Sequence, residues 1–223
     1  QTCALPISLL QRLLPLLLAG TQPRLVVTAS DVHDPQAPGG RVGRPAGLGD
    51  LAGLKHGPGA PMVDGSAPFD AQKAYGDSKL CNVLLARHVE RLLRDRGVPL
   101  PVVAWSPGLV IPRSKGGFFR ESRRHNPLGQ ALFALLARDL LRVTETPQRA
   151  GALLVQLALD PLPEPFGFQY WSNRVVGLGQ HRFGPLPPSR EAQDDGLAER
   201  LWNLGAEKLG LDQQLTGVTH TSP

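Results

Sequence analysis

The chain has little of several things that usually announce a function or a compartment. Of its 223 residues only two are cysteine and one is methionine. Two cysteines cannot build a disulfide framework, and without a Cys-x-x-Cys pair there is no zinc-finger spacing. The histidines at 33, 56, 88, 125, 181 and 220 lack ligand spacing too, so no metal is expected. Aromatic residues make up 5%, and no aromatic platform or reading motif accompanies the basic residues, which argues against a nucleic-acid partner. The longest apolar stretch, Leu13 to Gly20, is broken by Pro15 and is too short to cross a bilayer. Only Arg12 precedes it, so the basic leading region of a signal peptide is missing.

What is present suits one globular domain with a sizeable core. Hydrophobic residues make up 41% and charged residues 19%, with a net charge of +5. The 25 glycines and 22 prolines form about a fifth of the chain, above ordinary usage but below low-complexity disorder. Leu9-Leu10, Leu13-Leu14 and Leu17-Leu18 recur at helical spacing and predict a buried helix running into a strand over Arg24–Ser30. Residues 35–68, rich in Gly and Pro, read as a long mobile loop. Leu80, Val83, Leu84, Val89, Leu92 and Leu93 give residues 71–96 the apolar face of a helix that stops at Gly97. A second strand, Pro101–Ser106, ends at Pro107-Gly108. Helices are expected within residues 128–141, 147–159 and 190–209, with a short strand at Phe168–Ser172 and a turn at Gly177-Leu178-Gly179. Alternating helices and near-continuous apolar strands predict an α/β fold with a parallel sheet covered on both faces.

The chemistry converges on Tyr75 and Lys79, four residues apart and therefore on one face of the long helix. A phenol titrates near pH ~10. An adjacent ammonium favours the phenolate and is expected to lower that value, easing proton exchange. Ser30, at the end of the preceding strand, is placed to hold a substrate carbonyl. Cys81, on the same helix, reads as a small buried core thiol.

With Arg24-Leu-Val-Val-Thr-Ala-Ser30, Tyr75-Gly-Asp-Ser-Lys79 and Ser106-Pro-Gly-Leu-Val110 in that order, the sequence resembles the short-chain dehydrogenase/reductase family. More narrowly it resembles the light-dependent protochlorophyllide reductases. That match rests on Leu48-Gly-Asp-Leu-Ala-Gly-Leu54, Lys73-Ala-Tyr-Gly-Asp-Ser-Lys-Leu-Cys-Asn82, Tyr170-Trp-Ser-Asn173 and Leu201-Trp-Asn203. The resemblance implies a Rossmann-like, doubly wound parallel sheet that uses NADPH. Tyr75 would be the proton donor, Lys79 would bind the nicotinamide ribose and Ser30 would orient the substrate. The backbone near Pro107, Gly108 and Val110 would pack against the nicotinamide. The family's Thr-Gly-x-x-x-Gly-x-Gly phosphate loop is absent, so the chain is expected to lack the N-terminal nucleotide-binding half and to be inactive alone. Residues 1–8, which contain no Met, read as a non-native leader. Residues 9–211 read as the C-terminal part of one reductase domain and 212–223 as a flexible tail. Two further departures are Leu109, where the pigment enzymes usually carry Cys, and Pro112, where a phosphate-contacting Thr is common.

Leu109 favours an alternative, a light-independent reductase of a hydrophobic carbonyl or alcohol of retinol-dehydrogenase type. A non-catalytic fragment or interaction domain is the alternative of another class. Residues 87–149 hold 12 basic against 5 acidic residues, including Arg113, Lys115, Arg120, Arg123 and Arg124 just after Pro-Gly. Such a cluster suits a pigment-like or hydrophobic substrate that bears a carboxylate, or an anionic membrane touched peripherally by a cytoplasmic protein.

Overall fold

The computed structural model describes residues 4–98, 100–112, 124–163 and 167–212. Helix α1 (Ala4–Leu18) leads to strand β1 (Leu25–Thr28) and a 3-10 turn (Asp31–His33). A second 3-10 turn (Pro38–Arg41) and the short α2 (Ala52–His56) follow before the long α3 (Ala71–Arg94). Then come β2 (Val102–Ser106), α4 (Pro127–Ala134) continuing as a π-helical segment (Leu135–Leu140), and α5 (Pro147–Leu159). The hairpin β3 (Phe168–Gly177) and β4 (Gln180–Pro185), a 3-10 turn (Glu191–Gln193) and α6 (Asp195–Leu209) complete the order.

Helices α3, α5 and α6 start where a side chain satisfies one of the first free N–H groups. Asp70 accepts from the Lys73 amide at 2.9 Å, Thr146 from Arg149 at 3.1 Å and Asp194 from Leu197 at 2.9 Å. Helix α3 stops as predicted: Gly97 takes φ +69° and the Val98 amide turns back to the Leu93 carbonyl.

The four strands lie in the order β1-β2-β3-β4, the first three parallel and β4 antiparallel to β3. Alternate residues of β2 face opposite sides. Val102 and Ala104 join Leu80, Leu84, Leu201 and Trp202 in a core built by α1, α3 and α6. Val103 and Trp105 join Leu153, Leu157 and Trp171 under α5 on the other face. Helices therefore cover both faces, as the apolar strands predict. Register brings the strand ends level: Thr28 lies beside Trp105, and Ser106 beside Ser172.

Three features differ from expectation. Strand β4 carries no apolar alternation, and its pairing with β3 around the Gly177–Gly179 turn makes it a strand. Residues 35–68 do not stand wholly clear of the core, since Leu48 and Leu51 are fully buried. Cys81 is fully buried but disulfide-bonded rather than a thiol, and Cys3 lies outside the described residues. Helix α1 begins at Ala4, inside the segment read as a leader, and buries Ile7 and Leu14 while Leu9, Leu13 and Leu16 face out. It approaches α6 closely, since a Cβ on Gly205 would lie 2.3 Å from Ile7 Cδ1. No helix among the described residues is long and apolar enough to cross a membrane. Residues 213–223, read as a tail, lie outside the described residues.

His88 lies buried between α3 and α6, its ring 5.5 Å from that of Trp202 and its Nδ1 without a hydrogen-bond partner. Burial, aided by Arg91, lowers its pKa from 6.5 to about 4. The neutral form is thus the folded form. This contribution to stability is complete above pH 6.5 and is lost as pH falls towards 4. Burial lowers His33 in the same direction. We predict a melting temperature that declines across this interval, measured by circular dichroism, and a shallower decline in His88→Leu. An unchanged slope in that variant contradicts the assignment.

Candidate functional site

The site assembles at the carboxyl ends of the parallel strands, where an open α/β sheet leaves backbone and side chains free for ligands. Ser30 follows β1 in an extended conformation (φ −167°, ψ 150°) and starts the 3-10 turn. Tyr75 on α3 lies near enough for the Ser30 side chain to favour its ionised form. One turn along, the Lys79 ammonium lies 5.5 Å from the Tyr75 ring centroid and 3.5 Å from the Thr28 carbonyl oxygen. Asn82, a further turn on, donates to the same carbonyl at 3.0 Å. Thus Ser30, Tyr75 and Lys79 are brought together.

The electrostatics correct one expectation. Burial raises the Tyr75 pKa, and the Ser30 side chain offsets only part of that rise. Burial also lowers that of Lys79. Both groups are pushed towards their neutral forms, so the phenol at rest is a weaker acid than free tyrosine, not a stronger one.

A buried polar network behind Ser30 ties the three strand ends together. The Asp31 carboxylate accepts from the Tyr170 hydroxyl and from the Ser172 hydroxyl, each at 2.7 Å. The Asp31 amide donates to Ser106 Oγ at 3.1 Å. His33 Nδ1 meets the Ser30 carbonyl at 2.7 Å, while Nε2 accepts from the Ser189 amide at 3.2 Å. Burial, reinforced by Asp31, holds the Tyr170 phenol well above its usual range.

The Pro107-Gly108 turn joins the site through Ser106, whose hydroxyl also accepts from the Gly108 amide at 3.3 Å. Gly108 has φ +82°, and a Cβ there would lie 2.7 Å from the Asn173 carbonyl oxygen, so the position requires glycine. Asn173 Nδ2 in turn donates to the Pro107 carbonyl and to Glu145. Val110 is bridged to Glu145. Arg113, Lys115, Arg120 and Arg123, the main part of the expected basic cluster, lie outside the described residues.

Another face of the same end of the helix grips the 35–68 segment. Lys73 Nζ bonds both oxygens of Asp77 at 2.9 and 2.7 Å, the Gly47 carbonyl at 2.7 Å and Asp64 at 3.2 Å. Asp77 also accepts from the Gly47 amide at 2.9 Å, and burial raises its pKa.

Sequence reasoning passed over Asp31, His33, Ser106, Tyr170, Ser172 and Asn173 as site components. The signal that could have found them is positional: polar residues stand where the parallel pairing ends, at Thr28, Ser106 and Ser172. Among the described residues no group of three or more His, Cys, Asp or Glu could hold a metal.

Lys73→Met would leave the Asp77 carboxylate buried without its cation. We predict a loss of about 3–5 kcal/mol in urea denaturation, because an unpaired buried charge keeps its full desolvation cost. Lys73→Met with Asp77→Leu should recover most of the loss; a double variant as unstable as the single one contradicts the pairing.

No family model matches the chain. It is 32% identical over 193 residues to protochlorophyllide reductase A of Oryza sativa subsp. japonica, covering 84% of this chain and 46% of that one. It is 31% identical to the protochlorophyllide reductase of Chlamydomonas reinhardtii, over 85% of this chain and 45% of that one. It is also 31% identical to that of Avena sativa, over 84% and 58%. The chain therefore spans about half the length of these curated relatives. A crystal structure of an uncharacterized protein from Mycobacterium paratuberculosis shares the fold, with a TM-score of 0.54 at 23% identity over 92% of this chain and 56% of that one.

Proposed function

Starting from homologues that are protochlorophyllide reductases, we propose that this chain carries the proton-donating, substrate-facing part of an NADPH-dependent oxidoreductase of the short-chain type. The observation that carries this reading is Ser30, Tyr75 and Lys79 brought together at the carboxyl end of a parallel sheet, with the Lys79 ammonium 5.5 Å from the Tyr75 ring. Tyr75 is protonated at neutral pH and so serves as the acid. Ser30 orients the atom that receives the proton. Lys79 stabilises the phenolate left behind and reaches the ribose.

The residues fit one end of NADPH. Tyr75, Lys79 and the backbone of Pro107, Gly108 and Val110 would hold the nicotinamide and its ribose. When bound, the nicotinamide supplies the hydride. At the phosphate end, the sequence has no Thr-Gly-x-x-x-Gly-x-Gly loop, and Pro112 offers neither hydroxyl nor N–H. A pigment-like substrate is the first reading. Leu109, which has no thiol, favours a hydrophobic carbonyl reduced without light.

The test joins this chain to a glycine-loop nucleotide-binding half, since the chain alone is expected to be inactive, and follows turnover by absorbance at saturating NADPH, with protochlorophyllide under illumination and with a retinoid-sized aldehyde in the dark. One of the two should be reduced. Tyr75→Phe should lower that rate about 10²–10⁴-fold, the usual worth of a positioned proton donor, with its melting temperature unchanged. Reduction of neither substrate, or undiminished turnover in Tyr75→Phe, overturns the reading.

A peripheral contact with an anionic membrane belongs to the same proposal. Leu128, Leu132, Leu135 and Leu140 of α4 and its π-helical extension are 84%, 57%, 55% and 68% exposed, with Arg138 and Arg142 near the end of the segment. A leucine-rich helix with arginines beside it suits the boundary between acyl chains and acidic headgroups. Co-sedimentation should show binding to phosphatidylcholine vesicles only when phosphatidylglycerol is included, weakened roughly tenfold by Leu132→Glu. Equal binding by that variant counts against this surface.

A further inference from the structure

We propose that Asp31 and His33 are positioning residues that hold the Ser30 hydroxyl against Tyr75. The inference rests on the reading of Ser30 and Tyr75 as a working pair, and adds what keeps them paired. The Ser30 carbonyl and the Asp31 amide belong to one peptide unit, and that unit is fixed at both ends. Its carbonyl receives His33 Nδ1 at 2.7 Å and the His33 amide at 3.1 Å. Its N–H is taken by Ser106 Oγ at 3.1 Å. On the other side of Ser30, the Ala29 amide is bonded to the Trp105 carbonyl at 2.7 Å. The backbone on both sides of Ser30 is therefore held by hydrogen bonds.

Partners distant in the chain enforce that geometry. His33 is 1% exposed, and because its Nε2 accepts from the Ser189 amide, the proton sits on Nδ1 and is donated to Ser30. Its ring packs edge-on against Tyr170, with centroids 4.9 Å apart. The Tyr170 and Ser172 hydroxyls both converge on the Asp31 carboxylate. A serine that merely ended a strand would need none of this, since solvent satisfies an ordinary turn. Here His33 Nδ1 and Ser106 hold the Ser30–Asp31 peptide, while the Asp31 carboxylate and His33 Nε2 anchor its two flanks to β3 and Ser189.

The chain contains only two tyrosines, Tyr75 and Tyr170, so labelling tyrosine Cζ with carbon-13 gives two resonances that Tyr75→Phe assigns. The Tyr75 resonance at neutral pH reports the hydrogen bond to its hydroxyl without any cofactor or turnover. Ser30→Ala should move it. Asp31→Ala and His33→Phe, the latter keeping a ring against Tyr170, should each move it in the same sense by a similar amount. Adding Ser30→Ala to either should produce no further change. Asp31→Asn keeps an acceptor for one hydroxyl and a donor for the other, and should restore the wild-type position. If Asp31→Ala fails to fold by circular dichroism, His33→Phe decides. A Tyr75 resonance that Ser30→Ala shifts but folded Asp31→Ala and His33→Phe leave in place shows two fold staples and overturns the proposal. A resonance indifferent to Ser30→Ala removes the pair itself and the proposal with it. Loss of turnover with an intact resonance pattern would instead count against the functional reading alone.

Discussion

The Asp31 carboxylate sits where three strand ends meet, and its acceptance of the Tyr170 and Ser172 hydroxyls is the contact on which the site depends. Even a half-buried carboxylate is costly unless its oxygens are satisfied. The two donors come from β3, on the far side of β2, so satisfying them closes the sheet's carboxyl edge around Ser106. The same arrangement keeps Tyr170 protonated, because an ionised phenol would face the carboxylate as a like charge. Position and charge state at this edge are thus one decision.

Helix α3 serves three purposes along one length. Its apolar face, including Leu80, Leu84 and Leu93, is the largest continuous contribution to the core between sheet and α6. Its first turns carry Lys73 and Asp77, which draw Gly47 and so Leu48 and Leu51 against the helix. Interleaved with these, Tyr75 and Lys79 project towards the strand ends. Packing on one face fixes the rotation of the helix. That rotation fixes where the Tyr75–Lys79 face points, which is how a core made by distant leucines comes to aim a phenol at Ser30.

Local periodicity made much of this legible. The strands at Leu25–Thr28 and Val102–Ser106 are runs of β-branched and apolar residues. Tyr75 and Lys79 stand at helical spacing inside a helix whose leucines mark it plainly. The order Ser30, Tyr75–Lys79, Pro107-Gly108 identified the neighbourhood that the fold brings together. What escaped was long-range. Asp31 meets Tyr170 and Ser172 across 139 and 141 residues, a separation no local pattern reveals. Gln180–Pro185 holds no apolar alternation, so its strand state exists only through β3. The packing of residues 35–68 was hidden because Lys73, an unremarkable helix-surface residue by type, is 4% exposed and bonded to Gly47.

The resting charges at Tyr75 and Lys79 give the proposed chemistry its direction. An ammonium beside a phenol would be expected to make the phenol acidic before any substrate arrives. Burial dominates instead, raising Tyr75 and lowering Lys79, so that each charge alone is penalised. A phenolate formed by proton transfer no longer stands alone, because the ammonium and the Ser30 hydroxyl are already beside it. The penalty on the two separate charges then becomes attraction between them, strengthened by the same low dielectric that penalised each. An interaction that gains strength only as the proton departs lowers the barrier, whereas one already complete at rest would not. For a proton donor, a resting phenol held neutral beside a waiting ammonium is therefore the more useful arrangement.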